Sequence, residues 1–126
     1  MIDALFSDSN YLAAKKMLDF TVLRQEAIAS NIGNVETPNY KRIDVSPTFE
    51  NQLQQAVASR DPQQFAAIQP ELAVDNQAVS GRADGNTVQV ETELLKLNQN
   101  MVENALGTQL VTYKLGLLRM AITGKD

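Results

Sequence analysis

The side chains that could carry chemistry in this sequence are carboxylates, amides and hydroxyls. The chain contains no histidine and no cysteine. It therefore lacks the commonest general base and metal ligand, and it has neither a thiol nucleophile nor a thiolate metal site. Catalysis would have to depend on carboxylates, and no convergent set of nucleophile, base and metal ligands stands out. The sequence predicts a protein that is not an enzyme.

One cluster deserves comparison with a calcium loop, because Asp75, Asn76 and Asp84 offer the oxygen ligands that calcium prefers. The spacing does not match an EF-hand, and no glutamate closes the loop at the required offset. The run Asp84-Gly85-Asn86 is instead typical of a turn. We therefore predict turns in this region, with no metal and no cofactor.

Length and charge restrict the protein further. A chain of 126 residues is enough for one domain, and 44% of its residues are hydrophobic. The formal net charge of −4 argues against a nucleic-acid-binding surface. Apolar runs are short and interrupted by charge, so no transmembrane segment is predicted. Residues 1–6 lack the basic and apolar regions of a secretory signal, which taken alone predicts a cytoplasmic location.

Two long amphipathic helices are predicted, one towards each end of the chain. Residues 9–32 place apolar side chains at steps of three and four, with Asp8 or Ser9 as N-cap. Residues 88–122 show the strongest periodicity, sustained over about four to five heptads, with Gly124 as C-cap. An antiparallel, coiled-coil-like pair is the simplest way to cover both apolar stripes. The residues expected to form its helix-packing seam are Leu18, Ile28, Ile32, Leu94, Leu97, Met101, Val111, Leu115, Leu118 and Ile122.

Four residues of the second helix leave alternatives open. Asn104 and Thr108 lie within the apolar periodicity. They either mark a gap that faces solvent or fix the register, as a buried asparagine does in coiled coils. Gly107 and Gly116 each cost about 1 kcal/mol relative to alanine inside a helix. They either allow another helix to approach closely or are simply tolerated.

The region between the two helices gives weaker signals. Phe49 and Leu53 predict a short helix after Pro47, and Asp61-Pro62 is typical of a helix start. Residues 69–87 are polar and predict an extended or mobile connector, and few core residues are expected here. The predicted fold is mainly α, with a short irregular, partly mobile middle. Its expected segments are an N-terminal helix (1–32), a turn and extended segment (33–45), a variable middle (46–87) and a C-terminal helix (88–126), the two ends forming a single assembly domain.

The stretch from Asn31 to Tyr40 closes the first helix and redirects the chain. Gly33 can adopt positive φ without a Cβ clash, which suits a position just past a helix end. Pro38 fixes its own φ, and Asn39 follows at the turn position that needs positive φ. Tyr40 presents an apolar ring with a polar tip, which suits docking on a neighbouring element.

The full string resembles the N-terminal signature of the flagellar rod and hook family of axial proteins, which reads roughly Ala-x-Asn-Ile-Ala-Asn-x-x-Thr-Pro-Gly-Tyr. The matching positions are Asn31, Ile32, Asn34, Thr37, Pro38 and Tyr40, whereas Gly33 and Asn39 depart from the pattern. A second stretch, from Asp84 to Glu93 and into the Leu-rich helix, is similar to a later region of the same family. The resemblance covers roughly residues 1–45 and 80–124, and within the family it points to a proximal rod protein.

This resemblance implies a structural subunit of the bacterial flagellar basal body, whose helices pack into a hollow rod that transmits torque and passes exported axial proteins. The implied partners are copies of itself, other rod proteins, an adapter protein at the membrane base ring and the flagellar export apparatus. The implied location is the periplasmic rod, reached from the cytoplasm without a cleaved signal. The residues then assigned to an assembly turn are Asn31, Gly33, Asn34, Thr37, Pro38, Asn39 and Tyr40.

Two further expectations concern charge and stability. Lys41, Arg42, Glu91 and Glu93 are expected to be solvated surface charges, with a role in setting register between subunits as the alternative. Since the middle contributes few core residues, we expect a marginally stable monomer whose helices are completed by neighbouring subunits. The rival class of function is a small cytoplasmic helical adaptor or chaperone-like binding protein.

Overall fold

Two long helices and a small middle region make up the protein. The structure is a computed structural model that describes residues 8–124, so the first seven and last two residues of the predicted segments lie outside it. The elements in chain order are α1 (Ser9–Gly33), β1 (Ile43–Val45), α2 (Thr48–Ser59), α3 (Pro62–Ala66), β2 (Leu72–Val74) and α4 (Val90–Thr123).

Helix α1 begins as the sequence predicts, because the Asp8 carboxylate accepts a hydrogen bond from Asn10 N at 2.7 Å. Its end differs from the prediction. Gly33 is the last helical residue and does not have positive φ, and Asn34 closes the helix by donating from its backbone N to Ser30 O. The Asn34 side-chain amide also donates to Ser30 O at 2.8 Å, so an amide satisfies the end of the helix without a left-handed glycine.

Helix α4 runs antiparallel to α1, which confirms the predicted pair. Lys114 contacts Asp8 at one end of the pair, and Glu93 contacts Asn31 at the other. The helix begins at Val90, and its predicted C-cap Gly124 adopts φ +67° and donates to Met120 O at 2.7 Å. Within residues 8–124 no helix is both long enough and apolar enough to cross a lipid bilayer.

The middle region builds the hydrophobic core, and the expectation that it brings few core residues is wrong. The buried core cluster consists of Phe20, Val45, Phe49, Leu53, Ala56, Phe65 and Ile68, of which only Phe20 lies on α1. The rings of Phe20 and Phe49 stack with centroids 5.5 Å apart. Helices α2 and α3 therefore fold onto one side of α1, while α4 occupies another side of it.

Strands β1 and β2 pair antiparallel and place Ile43 opposite Val74. The ladder continues beyond the strands, since Asp75 N donates to Arg42 O at 2.9 Å. This pairing brings Asp75 beside Arg42, although the two residues are far apart in the sequence. Within the segment predicted to be an extended or mobile connector, β2 is extended, and the residues that follow it carry the polar contacts described below.

We expect Gly33→Ala to raise the free energy of unfolding by about 0.5–1 kcal/mol, because a Cβ at Gly33 meets nothing within 4 Å and alanine favours the helix. The matched control is Gly85→Ala. Gly85 has φ +76°, and an added Cβ would lie 2.6 Å from Asn39 Oδ1, so this change should destabilise by more than 1 kcal/mol. Urea denaturation followed by circular dichroism measures both. Equal effects of the two changes would contradict this account.

Candidate functional site

Asn31, near the end of α1, joins three elements through one fully buried amide. Its Oδ1 accepts from Ile43 N at 2.9 Å, and its Nδ2 donates to Ile43 O at 2.8 Å and to Glu93 Oε2 at 3.1 Å. A helix, a strand and the start of α4 are thus fixed to a side chain that is 0% exposed. A buried amide that lost one of these partners would carry the full cost of desolvation.

The turn after α1 folds back onto the same asparagine. Tyr40 Oη donates to Asn31 Oδ1 at 3.2 Å and lies 3.0 Å from Ser30 Oγ. Asn39 has φ +61°, as predicted, and Tyr40 N donates to Thr37 O across the turn. The turn itself is exposed at Thr37, Pro38 and Asn39. The tyrosine ring therefore anchors a turn whose tip stays open to solvent.

A second loop holds this turn in place. We call the two together the clasp, comprising residues 34–42 and 82–88. The buried amide nitrogen of Asn86 lies 2.8–3.1 Å from the carbonyl oxygens of Asn34, Val35 and Thr37. Its Oδ1 accepts from Val88 N at 2.7 Å. One asparagine thus bonds to carbonyl groups of the turn and fixes the approach to α4.

Backbone hydrogen bonds complete the clasp. Asn39 N donates to Asp84 O at 2.8 Å, and Thr87 N donates to Tyr40 O at 3.0 Å. The Lys41 ammonium donates to Gly85 O at 2.8 Å. These two stretches carry the family resemblance. They are about 40 residues apart in the sequence, and hydrogen bonds join them into one unit.

Arg42 lies at the centre of a buried ion-pair network beneath the clasp. Its Nε lies 2.7 Å from Glu93 Oε1, its Nη1 lies 2.6 Å from Asp75 Oδ2, and its Nη2 lies 3.1 Å from Asp44 Oδ2. Burial lowers the pKa of Arg42, but its hydrogen bonds to Glu93 and Asp75 outweigh that effect and leave the pKa above its ordinary value. The guanidinium therefore stays charged and links β1, β2 and α4.

This network corrects the expectation of solvated charges at Arg42 and Glu93, which are 4% and 0% exposed. Lys41 and Glu91 are exposed, as expected. The carboxylates of Asp44, Asp75 and Glu93 converge on the Arg42 guanidinium. Within residues 8–124 no group of three or more histidine, cysteine or acidic side chains is arranged to hold a metal ion.

Several polar bonds cross the contact between α1 and α4. Asn100 Nδ2 donates to Thr21 O and Asn104 Nδ2 donates to Thr21 Oγ1, each at 2.8 Å. The Lys114 ammonium hydrogen-bonds to the Asp8 carboxylate at 2.7 Å and holds the pKa of Asp8 below its ordinary value. Since these bonds are directional, they fix how far α4 can slide along α1.

Gly107 lets the two helices approach closely. A Cβ built there would lie 3.1 Å from Leu18 Cδ2, so alanine at this position would push against α1. No such contact exists at Gly116, where an added Cβ meets nothing within 4 Å. Of the alternatives left open by the sequence, Asn104 and Gly107 thus contact α1, whereas Thr108 and Gly116 are exposed.

The residues assigned to the helix-packing seam divide into two groups. Ile28 is buried, and Leu18, Ile32, Leu97, Val111 and Leu118 are half-buried. Leu94, Met101, Leu115 and Ile122 are exposed, because positions 93, 100, 107 and 114, rather than 94, 101, 108 and 115, turn towards α1. The role of these residues in packing between subunits stays a prediction, as does the role of the turn residues in assembly.

The outer surface of α4 carries almost no charge. Between Leu94 and Leu118, all of which the structure describes, every exposed side chain is apolar or an uncharged amide or hydroxyl. The charged residues of this range, Lys96, Glu103 and Lys114, are half-buried. The exposed large apolar side chains of α4 are Leu94, Leu95, Met101, Val102, Leu106, Leu110, Tyr113, Leu115, Met120 and Ile122.

Large apolar side chains exposed in this number on one helix, without charged neighbours, mark a surface for contact with other elements. The fold and site therefore define a helical protein whose exposed surface is suited to contact with further subunits.

Comparison with known proteins identifies the family. No protein-family model matches the chain. The chain is 31% identical to the flagellar basal body rod protein FlgB of Borrelia hermsii, over 77% of this chain and 83% of the relative. It is 28% identical to FlgB of Borreliella burgdorferi (69% and 76% covered) and 27% identical to FlgB of Aquifex aeolicus (88% and 90% covered). The chain belongs to the FlgB family of flagellar basal body rod proteins.

We expect Arg42→Met to lower the free energy of unfolding by about 3–5 kcal/mol, because it leaves the Glu93 carboxylate buried without its cationic partner. The double variant Arg42→Met/Glu93→Gln should cost much less than the sum of the two single changes, since it removes both charges. Chemical denaturation of the four proteins gives the coupling energy. Additive effects within about 0.5 kcal/mol would show that the pair does not act as a unit.

The pH dependence of stability should report on Asp75. Burial raises the pKa of Asp75, but the hydrogen bond from Arg42, the backbone hydrogen bonds from Gln77 and Ala78 and the charge of Arg42 together lower it by more, so it lies below the ordinary value. Its carboxylate therefore stabilises the fold at pH values above about 3.9, and this contribution is lost as pH falls through the lowered pKa. We expect Asp75→Asn to lower stability at neutral pH and to flatten the loss below about pH 4. Unfolding curves measured from pH 7 to pH 2 give the stability of both proteins at each pH. A variant that loses stability in acid as steeply as the unsubstituted protein would contradict this prediction.

Proposed function

We propose that this chain is a structural subunit of the proximal rod of the flagellum, which assembles by burying the outer surface of α4 against other subunits. The observation that carries the proposal is the uncharged exposed surface between Leu94 and Leu118. A helix in contact with water normally places charged residues on the side opposite its partner. Here the exposed positions of α4 between Leu94 and Leu118 carry no charge and include large apolar side chains, which favours burial in an assembly.

The polar bonds between α1 and α4 support the same proposal. Hydrogen bonds from Asn100, Asn104 and Lys114 to α1 fix the register of the pair, while apolar side chains such as Met101 and Leu106 remain about 60% exposed (61% and 59%). Burial of a large apolar side chain contributes roughly 1.5–3 kcal/mol. At these positions that gain remains available for contacts with other chains.

The clasp and the Arg42 network give the proposed subunit its rigidity. They hold the middle region against the helix pair through Asn31, Asn86 and Glu93, so that force applied to one part is transmitted to the other. A subunit that transmits torque requires such a connection. We propose that the exposed turn at Thr37, Pro38 and Asn39 meets a neighbouring subunit, with the clasp fixing its orientation.

We infer that copies of this chain associate through unlike surfaces, which generates an open helical stack instead of a closed dimer. The stack would be hollow, with exported axial proteins passing through it. The proposed partners are copies of this chain, other rod proteins, an adapter protein at the membrane base ring and the export apparatus. The proposed location is the periplasmic part of the basal body, reached without a cleaved signal.

The test is complementation of a deletion strain. We expect loss of swimming, and basal bodies that retain rings but lack a rod, when the chain is absent. Leu106→Glu should fail to restore the rod, because it places a charge within the surface to be buried, yet its monomer should keep its stability to within about 0.5 kcal/mol. Gln54→Glu, at an exposed position on α2, is the matched control and should restore the rod.

Electron microscopy of purified basal bodies and swimming assays provide the readout. Intact rotating flagella in the deletion strain would contradict the proposal and favour the cytoplasmic adaptor. An adaptor should also tolerate Asn34→Ala and Pro38→Ala with flagella intact, whereas a rod subunit should lose assembly while its helix content is kept.

A further inference from the structure

The small sheet of β1 and β2 has two outer edges that differ. In an antiparallel pair, alternate residues exchange backbone hydrogen bonds, and the residues between them point their N–H and C=O groups away from the partner strand. Asp75 N donates to Arg42 O at 2.9 Å. The next pair inward, Ile43 and Val74, therefore points its backbone groups outward, each to its own edge of the sheet.

Asn31 closes the outer edge of β1. Its Oδ1 accepts from Ile43 N at 2.9 Å, and its Nδ2 donates to Ile43 O at 2.8 Å. These are the two bonds that a residue of a further strand would form with Ile43. No strand can therefore be added to the sheet at this point, where α1 lies.

The outer edge of β2 is open. Within residues 8–124, the outward backbone N–H and C=O groups of Leu72 and Val74 form no hydrogen bond, and we call these four groups the open edge. The Val74 side chain is 49% exposed and Leu72 is half-buried. A depression of about 350 Å³ adjoins Ala73 and Val74 and leaves room for side chains. Unpaired groups along a strand edge are a template for pairing with another chain.

The charge beside the open edge is negative. Glu71, directly before β2, is exposed and belongs to none of the ion pairs formed within the described part of the chain. The neighbouring ion-pair network is balanced, because its carboxylates and cations are equal in number; its members are Asp44, Asp75, Glu93, Arg24, Arg42 and Lys96. Glu71 therefore leaves one uncompensated negative charge, which a basic residue on an added strand would face.

We propose that the open edge of β2 binds an extended segment of another protein as an additional strand. The segment carries apolar side chains beside Leu72 and Val74 and a lysine or arginine beside Glu71. In this mode of recognition the backbone hydrogen bonds supply affinity, and the alternating side chains supply specificity. The inference goes beyond the proposed function, because the open edge belongs to the single chain whether or not that chain forms a rod.

A second copy of this chain fits the open edge poorly. A two-fold antiparallel pairing of β2 with itself, centred on Ala73, places Glu71 of each copy opposite Asp75 of the other. Like charges directly opposite each other destabilise a strand pair. The occupant is therefore a segment of a different protein that brings the opposite charge.

The test uses the full chain in solution with a synthetic peptide as the probe. The peptide is Lys-Val-Thr-Val-Lys, blocked at both ends, and Glu-Val-Thr-Val-Glu is the control. Hydrogen exchange followed by NMR measures each amide. Without peptide, the amides of Leu72 and Val74 should exchange faster than that of Asp75, which donates to Arg42 O. We expect the basic peptide to slow exchange at Leu72 and Val74 by about tenfold or more, and the acidic peptide to leave it unchanged.

Two variants separate backbone pairing from charge. Val74→Pro removes an outward N–H that does not bond to β1, so it should weaken binding of the basic peptide about tenfold or more. Val79→Pro, at another exposed valine, is the matched control and should bind normally. Glu71→Gln should weaken binding about two- to fivefold, which is the effect of one exposed ion pair.

Unchanged exchange at Leu72 and Val74 with the basic peptide, or equal protection by the acidic peptide, would overturn the inference. Protection that rises with protein concentration in the absence of peptide would also overturn it, because the occupant would then be a second copy. Glu71→Gln keeps the backbone intact, so it remains decisive if Val74→Pro does not fold. The deletion strain tests the rod function separately.

Discussion

The buried contact between Arg42 and Glu93 is the interaction on which the arrangement of this protein depends. Glu93 accepts from Arg42 and from Asn31 in the first turns of α4, and Arg42 reaches the carboxylates of Asp44 on β1 and Asp75 just after β2. Arg42 and Glu93 are buried, so each charge is stable only while its partner stays in place. Helix α1, the small sheet and α4 therefore have one relative position that satisfies them all.

Beyond this junction directional polar bonds join α1 to α4, while many large apolar side chains of α4 remain exposed. Directional hydrogen bonds join α4 to α1 and fix the register of the pair; their donors are Asn100, Asn104 and Lys114. Such bonds contribute only about 0.5–1.5 kcal/mol each after the loss of water contacts. The arrangement leaves many large apolar side chains of α4 exposed.

The clasp explains why two separate stretches of sequence carry the family resemblance. The amide nitrogen of Asn86 lies within hydrogen-bond distance of three carbonyl oxygens of the turn that ends at Tyr40, and it ties the later stretch to that turn. Gly85 must be a glycine because its φ is positive and because Asn39 Oδ1 lies where a Cβ would be. Each stretch therefore supplies what the other lacks, although neither indicates its partner when it is considered alone.

The features that depend on neighbouring residues were predictable from the sequence: the two long helices, an N-cap at Asp8 or Ser9, the N-cap at Asp61, the C-cap at Gly124 and the positive φ of Asn39. The structure confirms them and selects Asp8. The resemblance to flagellar rod proteins was likewise readable from short motifs. The side of α4 that faces α1 could be read only from the tertiary structure. The series of positions that starts at Glu93 and the series that starts at Leu94 both follow steps of three and four. The two series are one residue apart, which is a rotation of about 100° around the helix axis. The contacts of Glu93 with Asn31 and Arg42, which are distant in sequence, select the series that starts at Glu93. The same long-range contacts bury Arg42. The middle region gives weak sequence signals, yet it forms most of the hydrophobic core because α2 and α3 pack on Phe20.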